Sequence, residues 1–163
     1  MNIFILHRNP KKSAKMLCDK HIVKMILESA QMLCTAHWMR GSEAPYKPTH
    51  KNHPCNKWVR KSYGNYNWLL RHALAIAKEY KRRYKRTHRV LEILKWCKKN
   101  KPKLKSRKRT EFVQAMPDKY KNKNAVKAYQ DYYLKEKLRF CKWNHSKKPK
   151  FVRDYEEKKK NSK

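Results

Sequence analysis

The sequence predicts an all-α fold: one compact domain, a helical bundle with long basic loops and a basic C-terminal tail. Three observations lead there. Only two glycines occur in 163 residues, too few for the tight turns of a β-protein. Apolar residues recur at three- and four-residue steps through several long stretches. Hydrophobic residues make up 39% of the chain, with five Trp, ten Tyr and four Phe, which suffices for a core in a chain of single-domain length.

The elements follow in order. In "MNIFILH" the run Ile3 to Leu6 reads either as a short buried strand or as an extended segment packed on the core. "RNPKKSAK" turns the chain, with Asn9-Pro10 as breaker and Ser13 as N-cap. A first long helix is expected from about Ser13 to about Trp38, closed by Gly41 and Pro45. Asn52-His53-Pro54 opens a second long helix, because proline is tolerated in a first turn. Its dry side carries Trp58, Tyr66, Leu69, Leu70, Ala73, Ile76, Ala77 and Tyr80, and its wet side Lys57, Arg60, Lys61, Arg71 and Lys78.

Val90, Leu91, Leu94 and Trp96 mark a shorter helix, after which "KKNKPKLKSRKR" is too charged to be core. Phe112, Val113 and Met116 re-enter the body, Pro117 breaks, and "NAVKAYQDYYLKEKLRFCKW" reads as a last helix capped near Asn124. Residues 1–155 form the domain. Residues 156–163 are expected to be a disordered Lys-rich tail, because they hold no apolar residue to offset the entropy of ordering.

Charge dominates the composition: 45 Lys+Arg against 12 Asp+Glu give a net +33. Such self-repulsion calls for a polyanion, and nucleic acid is the default, bound through its phosphates. Double-stranded DNA is the expected partner. Apolar runs of only a few residues argue against a membrane, and the five scattered cysteines read as reduced, mostly buried thiols of an intracellular protein. The candidate DNA-binding cations are Lys57, Arg60, Lys61 and Arg71 of the second helix, Arg82, Arg83 and Arg86 in "YKRRYKRTHR" and Arg107 in "KPKLKSRKR". Trp143, Phe151 and Tyr155 are candidates for stacking on bases, or alternatively for anchoring the tail.

"CDKHIVKMILESAQMLC" carries His21, Lys24, Glu28 and Gln31 along one side of a helix that is otherwise apolar nearly all round. Such a line is either a surface stripe with a weak Glu28 to Lys24 pair or the floor of a cleft holding a lone carboxylate in a positive field. Cys18-x2-His21 and Cys34-x2-His37 have ligand-like spacing, but 16 residues of helix set the pairs roughly 24 Å apart. Combining one pair with His50, His53 or Cys55 is the remaining option. No metal and no cofactor is expected.

Asp19-x-His21 followed by Glu28, a second helix rich in aromatics and cations, and a late "LKEKL…PKF…Y" resemble the phage-type pyrimidine-dimer DNA glycosylase/AP lyase family, endonuclease V. "CDKHIVKMILESAQML", "HPCNKWVRKS" and "QAMPDKYK" are also similar to poorly characterised proteins of phages and large DNA viruses. The resemblance implies a helical domain that bends DNA, an N-terminal amine that attacks the sugar C1′, and a supporting glutamate. Glu28 takes the glutamate's place, His21 that of a nearby histidine, and Met1, or Asn2 if Met1 is removed, supplies the amine. Leu134, Glu136, Lys137, Pro149 and Phe151 fall on the late motif, so that Lys137, Phe151 and Tyr155 face DNA together with Lys24 and Gln31 of the stripe.

The chain departs from that family at Asn2, where a small residue is usual, and at Leu27 and Gln31, which stand where arginines are usual. Two readings therefore stand. One is a base-excision repair enzyme acting on damaged bases through the N-terminal amine and Glu28, at work in the host cell cytoplasm or nucleus. The other is a non-catalytic basic viral packaging or virion protein, with other virion proteins as partners.

Overall fold

The computed structural model describes all 163 residues. It has no strand and is all-α, with helices α1 (Pro10–Met16), α2 (Asp19–Trp38), α3 (Pro54–Val59), α4 (Tyr63–Tyr84), α5 (Leu91–Lys99), α6 (Ala125–Tyr132) and α7 (Lys150–Asn161). α4 packs against α1, α2, α3 and α5, and is the spine of the molecule.

Ile3, Phe4, Ile5 and Leu6 are all buried, but they form no strand. A buried extended backbone must find hydrogen bonds somewhere, and here side chains supply them. Asn2 Oδ1 accepts from the Ile3 and Phe4 amides at 2.7 and 3.2 Å, Ser13 Oγ accepts from the Leu6 amide at 3.0 Å, and Gln130 Nε2 donates to the Leu6 carbonyl at 3.0 Å. Ser13 is thus a partner of this segment, not the helix cap predicted for it. The cap is Asn9, whose side chain accepts from the Lys11 and Lys12 amides while Pro10 sits in the first turn.

The first helix is two helices. Leu17 and Cys18 are extended and separate α1 from α2. Groups distant in sequence replace the missing helical bonds: the Arg83 guanidinium donates to the Leu17 and Lys15 carbonyls, Cys18 N–H donates to the Tyr133 hydroxyl, and Asp19 N–H donates to the Lys142 carbonyl. The second helix also divides, at Arg60 to Ser62, where Ser62 Oγ accepts from the Asn65 amide and caps α4.

The basic loop is tied down beside that division. Tyr63 N–H donates to the Ser106 carbonyl, Asn65 and Thr110 exchange hydrogen bonds, and Trp58 Nε1 donates to the Glu111 carbonyl. Gly64 permits the approach, since a Cβ there would lie 2.3 Å from the Arg109 amide nitrogen.

Asn124 caps α6, accepting from the Lys127 amide. The expected last helix does not run on unbroken: after Tyr132 it widens into a π-turn, Tyr133–Lys137, and then tightens into a 3₁₀ turn, Leu138–Phe140. Beyond Pro149 the chain forms α7, so the segment 156–163 expected to be disordered is helical as far as Asn161. Val152 buries one face of α7, and its acids find cations at helical spacing and beyond, Lys150 with Asp154 and Lys148 with Glu156.

Candidate active site

Three features of the sequence converge on one cleft of about 330 Å³: the N-terminus, the polar line of α2 and the turns that follow α6. Met1, Asn2, Phe4, Lys20, His21, Lys24, Glu28, Tyr132, Lys137 and Phe140 line it together with Met25. The α-amine of Met1 lies 3.6 Å from Glu28 Oε1. The Met1 side chain is only 2% exposed while the residue as a whole is half-buried, so its exposed part is the main-chain end that carries the amine. Glu28 Oε2 is buried without a hydrogen-bond partner, an acceptor held in reserve.

The backbone is built to hold the amine there. Phe4 has a φ of 56°, a left-handed conformation that costs energy in a bulky residue and persists only when its surroundings enforce it. Asn2 enforces it: Oδ1 takes the next two amides while Nδ2 donates to the Ala115 carbonyl at 2.8 Å. Asn2 therefore holds the terminus in place. The Met1 sulfur accepts from Asn56 Nδ2 at 3.4 Å.

His21 is buried behind the cleft. Its ring stacks on Phe4 with centroids 4.5 Å apart, meets Phe140 edge-on, and shares a 2.7 Å hydrogen bond between Nδ1 and the Tyr133 hydroxyl. Lys24 and Lys20 are exposed at the rim, and Lys137 Nζ lies 5.2 Å from the Tyr132 ring centroid. These cations supply positive charge beside Glu28, although Leu27 is apolar and 38% exposed. Lys20 was not singled out in the sequence, yet Lys20, Lys24 and Glu28 at four-residue steps already form a line. Phe4, Tyr132 and Phe140 were missed because rings read as core.

All five cysteines are free, and two pairs meet. The Cys18 thiol is pulled well down, first by a hydrogen bond from Cys141 and then by His21 and Tyr133, against the effect of burial. The Sγ atoms of Cys18 and Cys141 and a His21 ring nitrogen all lie within 4.8 Å of one another. Cys34 pairs with Cys97 in the core. Cys55, close enough to feel the amine and Glu28, is pushed up to about 12 by burial, so it stays protonated and does not compete as a nucleophile.

The remaining predicted DNA-binding residues divide. Lys57, Lys61, Arg71, Arg82, Arg86 and Arg107 are exposed. Gln31 is half-buried and does not line the cleft. Arg60 is half-buried and donates to the Lys51 carbonyl at 2.6 Å. Arg83 is a correction: it is 3% exposed, paired with Asp19 at 3.1 Å and Glu79 at 2.9 Å, and closed to phosphate. Burial would raise the Glu79 carboxyl, but hydrogen bonds from Arg82 and Arg83 hold it below the usual carboxylate range. Trp143 is buried and donates to the Met16 carbonyl at 3.1 Å, which makes it a core anchor and not a base-stacking ring. Phe151 packs half-buried against Tyr133, and Tyr155 is half-buried beside Lys135.

A second concavity, a groove of about 850 Å³, lies between α1, α4 and α5 and shares no residue with the cleft. Lys11, Lys15, Arg71, Lys78, Arg82, Lys98 and Lys101 surround Leu70, Leu74 and Ala75 there.

The family model described as pyrimidine dimer DNA glycosylase matches residues 1–92, more than half of the chain and the part that holds the amine, His21, Glu28 and α4. No curated protein and no solved structure matches the chain.

Proposed function

The chain belongs to the pyrimidine dimer DNA glycosylase family, and from that premise we propose that it excises damaged bases from duplex DNA and cleaves the resulting site through the Met1 amine and Glu28. DNA binding and a glycosylase-type repair function come with the family; the residue roles are our reading. The observation that supports them is the α-amine 3.6 Å from a glutamate whose other oxygen has no partner.

An α-amine is a weaker base than a lysine side chain, so more of it is neutral near pH 7. Glu28 accepts the proton that the amine must lose. The neutral nitrogen then adds to C1′ of the damaged nucleotide while the glycosidic bond breaks, and the base leaves with the bonding pair and takes up a proton. Ring opening yields a Schiff base, in which Glu28 is positioned to return and later remove protons, so that loss of a proton from C2′ expels the 3′-phosphate. Lys20, Lys24 and Lys137 hold the flanking phosphates, and a damaged base is cheaper to extrude than an intact pair. This chemistry requires the protein to work where genomic DNA is, inside the cell.

The test is incubation of the pure protein, its N-terminus verified by mass, with duplexes that are intact, abasic or ultraviolet-damaged. Borohydride should trap a covalent adduct on the abasic duplex, and the adduct should map to Met1. Binding with neither adduct nor cleavage on any lesion would leave the packaging alternative as the better account.

A further inference from the structure

We propose that Cys18, His21 and Cys141 form a binding site for one thiophilic divalent cation of the Zn²⁺ class, behind the cleft and independent of whether the chain is catalytic. No other three His, Cys, Asp or Glu side chains converge in the molecule.

Borderline-soft cations select this donor set of two sulfurs and one imidazole. The three ligand atoms lie within 4.8 Å of one another, and a tetrahedral zinc centre needs separations of roughly 3.5–3.8 Å, so closure takes about an ångström of side-chain movement. His21 lies in the first turn of α2 and Cys18 caps it, held by its backbone donation to the Tyr133 hydroxyl. Cys141 is half-buried at the end of the 3₁₀ turn, which leaves an approach from solvent. The same Tyr133 hydroxyl lies 2.7 Å from His21 Nδ1, placed either as a fourth ligand or as the outer partner that orients the ring.

Charge favours the assignment. Two thiolates cancel the charge of a divalent ion, so the loaded site adds nothing to a chain of net +33. A hard cation such as Mg²⁺ would find no oxygen cage there. Sequence spacing missed the site because its third ligand is 120 residues from its second; the helical separation of Cys18-x2-His21 from Cys34-x2-His37 is irrelevant once Cys141 arrives instead. Loaded, the ion ties residues 138–141 to the start of α2 and fixes the His21 ring against Phe4.

The probe is Co²⁺, added under a non-thiol reductant to metal-stripped protein. One equivalent should give a thiolate-to-cobalt charge-transfer band and the intense visible bands of tetrahedral geometry, and Zn²⁺ should displace it stoichiometrically. Cys141→Ser should abolish the charge-transfer band, whereas Cys97→Ser, which alters the other thiol pair, should leave it intact. A readout on the unaltered chain guards against misfolded variants: Zn²⁺ should slow alkylation of Cys18 and Cys141 at least tenfold, mapped by mass spectrometry, without changing Cys34 or Cys97. Absence of a one-to-one complex at micromolar metal, a band that survives Cys141→Ser, or no selective protection of Cys18 and Cys141 would overturn the proposal.

Discussion

The cleft at Met1 and the groove between α1, α4 and α5 are both positively rimmed, yet they are organised differently. The cleft is the smaller, about 330 against 850 Å³. It brings its one carboxylate to the α-amine, and it spends a left-handed Phe4, a locked Asn2 and a buried His21 on holding them. The groove spends nothing of the kind: its seven cations stand around an apolar floor, and its only acid, Glu79, is turned onto Arg82 and Arg83. Chemistry requires convergence and orientation, whereas phosphate binding requires only density of charge.

The largest effect belongs to the cleft. Glu28→Gln keeps size and hydrogen bonding while removing the base, so cleavage of an abasic duplex should fall about 10²- to 10⁴-fold with duplex affinity nearly unchanged. Equal activity in single-turnover assays would erase the distinction drawn above. The next largest is structural: Glu79→Gln weakens the pairing of buried Arg83, and the expected loss is about 3–5 kcal/mol in a denaturant titration. If stability is untouched, Asp19 and the Leu17 and Lys15 carbonyls alone suffice for Arg83.

Acid should then act between α4 and α1, where His72 donates from Nδ1 to the Pro10 carbonyl and burial depresses its pKa from 6.5 to about 4. The unfolded chain takes up this proton first, so the stability from a neutral His72 is complete above pH 6.5 and is lost as pH falls to about 4. The loss is about 3 kcal/mol. His72→Gln should flatten that part of the stability profile; an unchanged slope would show that other groups govern it. The smallest effect is on binding: Arg71→Ala with Lys78→Ala should lower the slope of log K against log salt by about 1.8 and affinity roughly tenfold. Single-turnover cleavage at saturation should not change. No change in slope would mean that DNA does not reach the groove.

What the sequence made legible is local. Helical periodicity located α2, α4, α5 and α6, Asn124 announced its cap, and a line of His21, Lys24 and Glu28 in an apolar helix drew attention to the cleft. What it hid depends on distant partners. The division at Leu17 and Cys18 has no breaker residue; it exists because Arg83, Tyr133 and Lys142 take over the bonds a helix would make. Arg83 looked like one more cation of a basic run, and the arrival of Asp19, 64 residues earlier, with the Leu17 and Lys15 carbonyls makes it internal. Asn2 looked only like a departure from the small residue usual in the family, and its use as a clamp on Phe4 depends on the Ala115 carbonyl.

The threading of Ile3 to Leu6 through the core also fixes the order in which the molecule can be finished. Some of their partners lie far along the chain: Gln130 donates to the Leu6 carbonyl and Tyr133 meets Phe4 edge-on. Ser13 and His21 can meet this apolar segment early, but the cleft is completed only when Tyr132, Lys137 and Phe140, from the last third of the chain, close over it. A sequence fused ahead of Met1 would meet that closure directly: it would consume the amine and have to exit past Glu28 and the buried Met1 side chain. Purification handles and fluorescent reporters therefore belong after Lys163, where α7 ends in exposed residues and nothing waits to be covered.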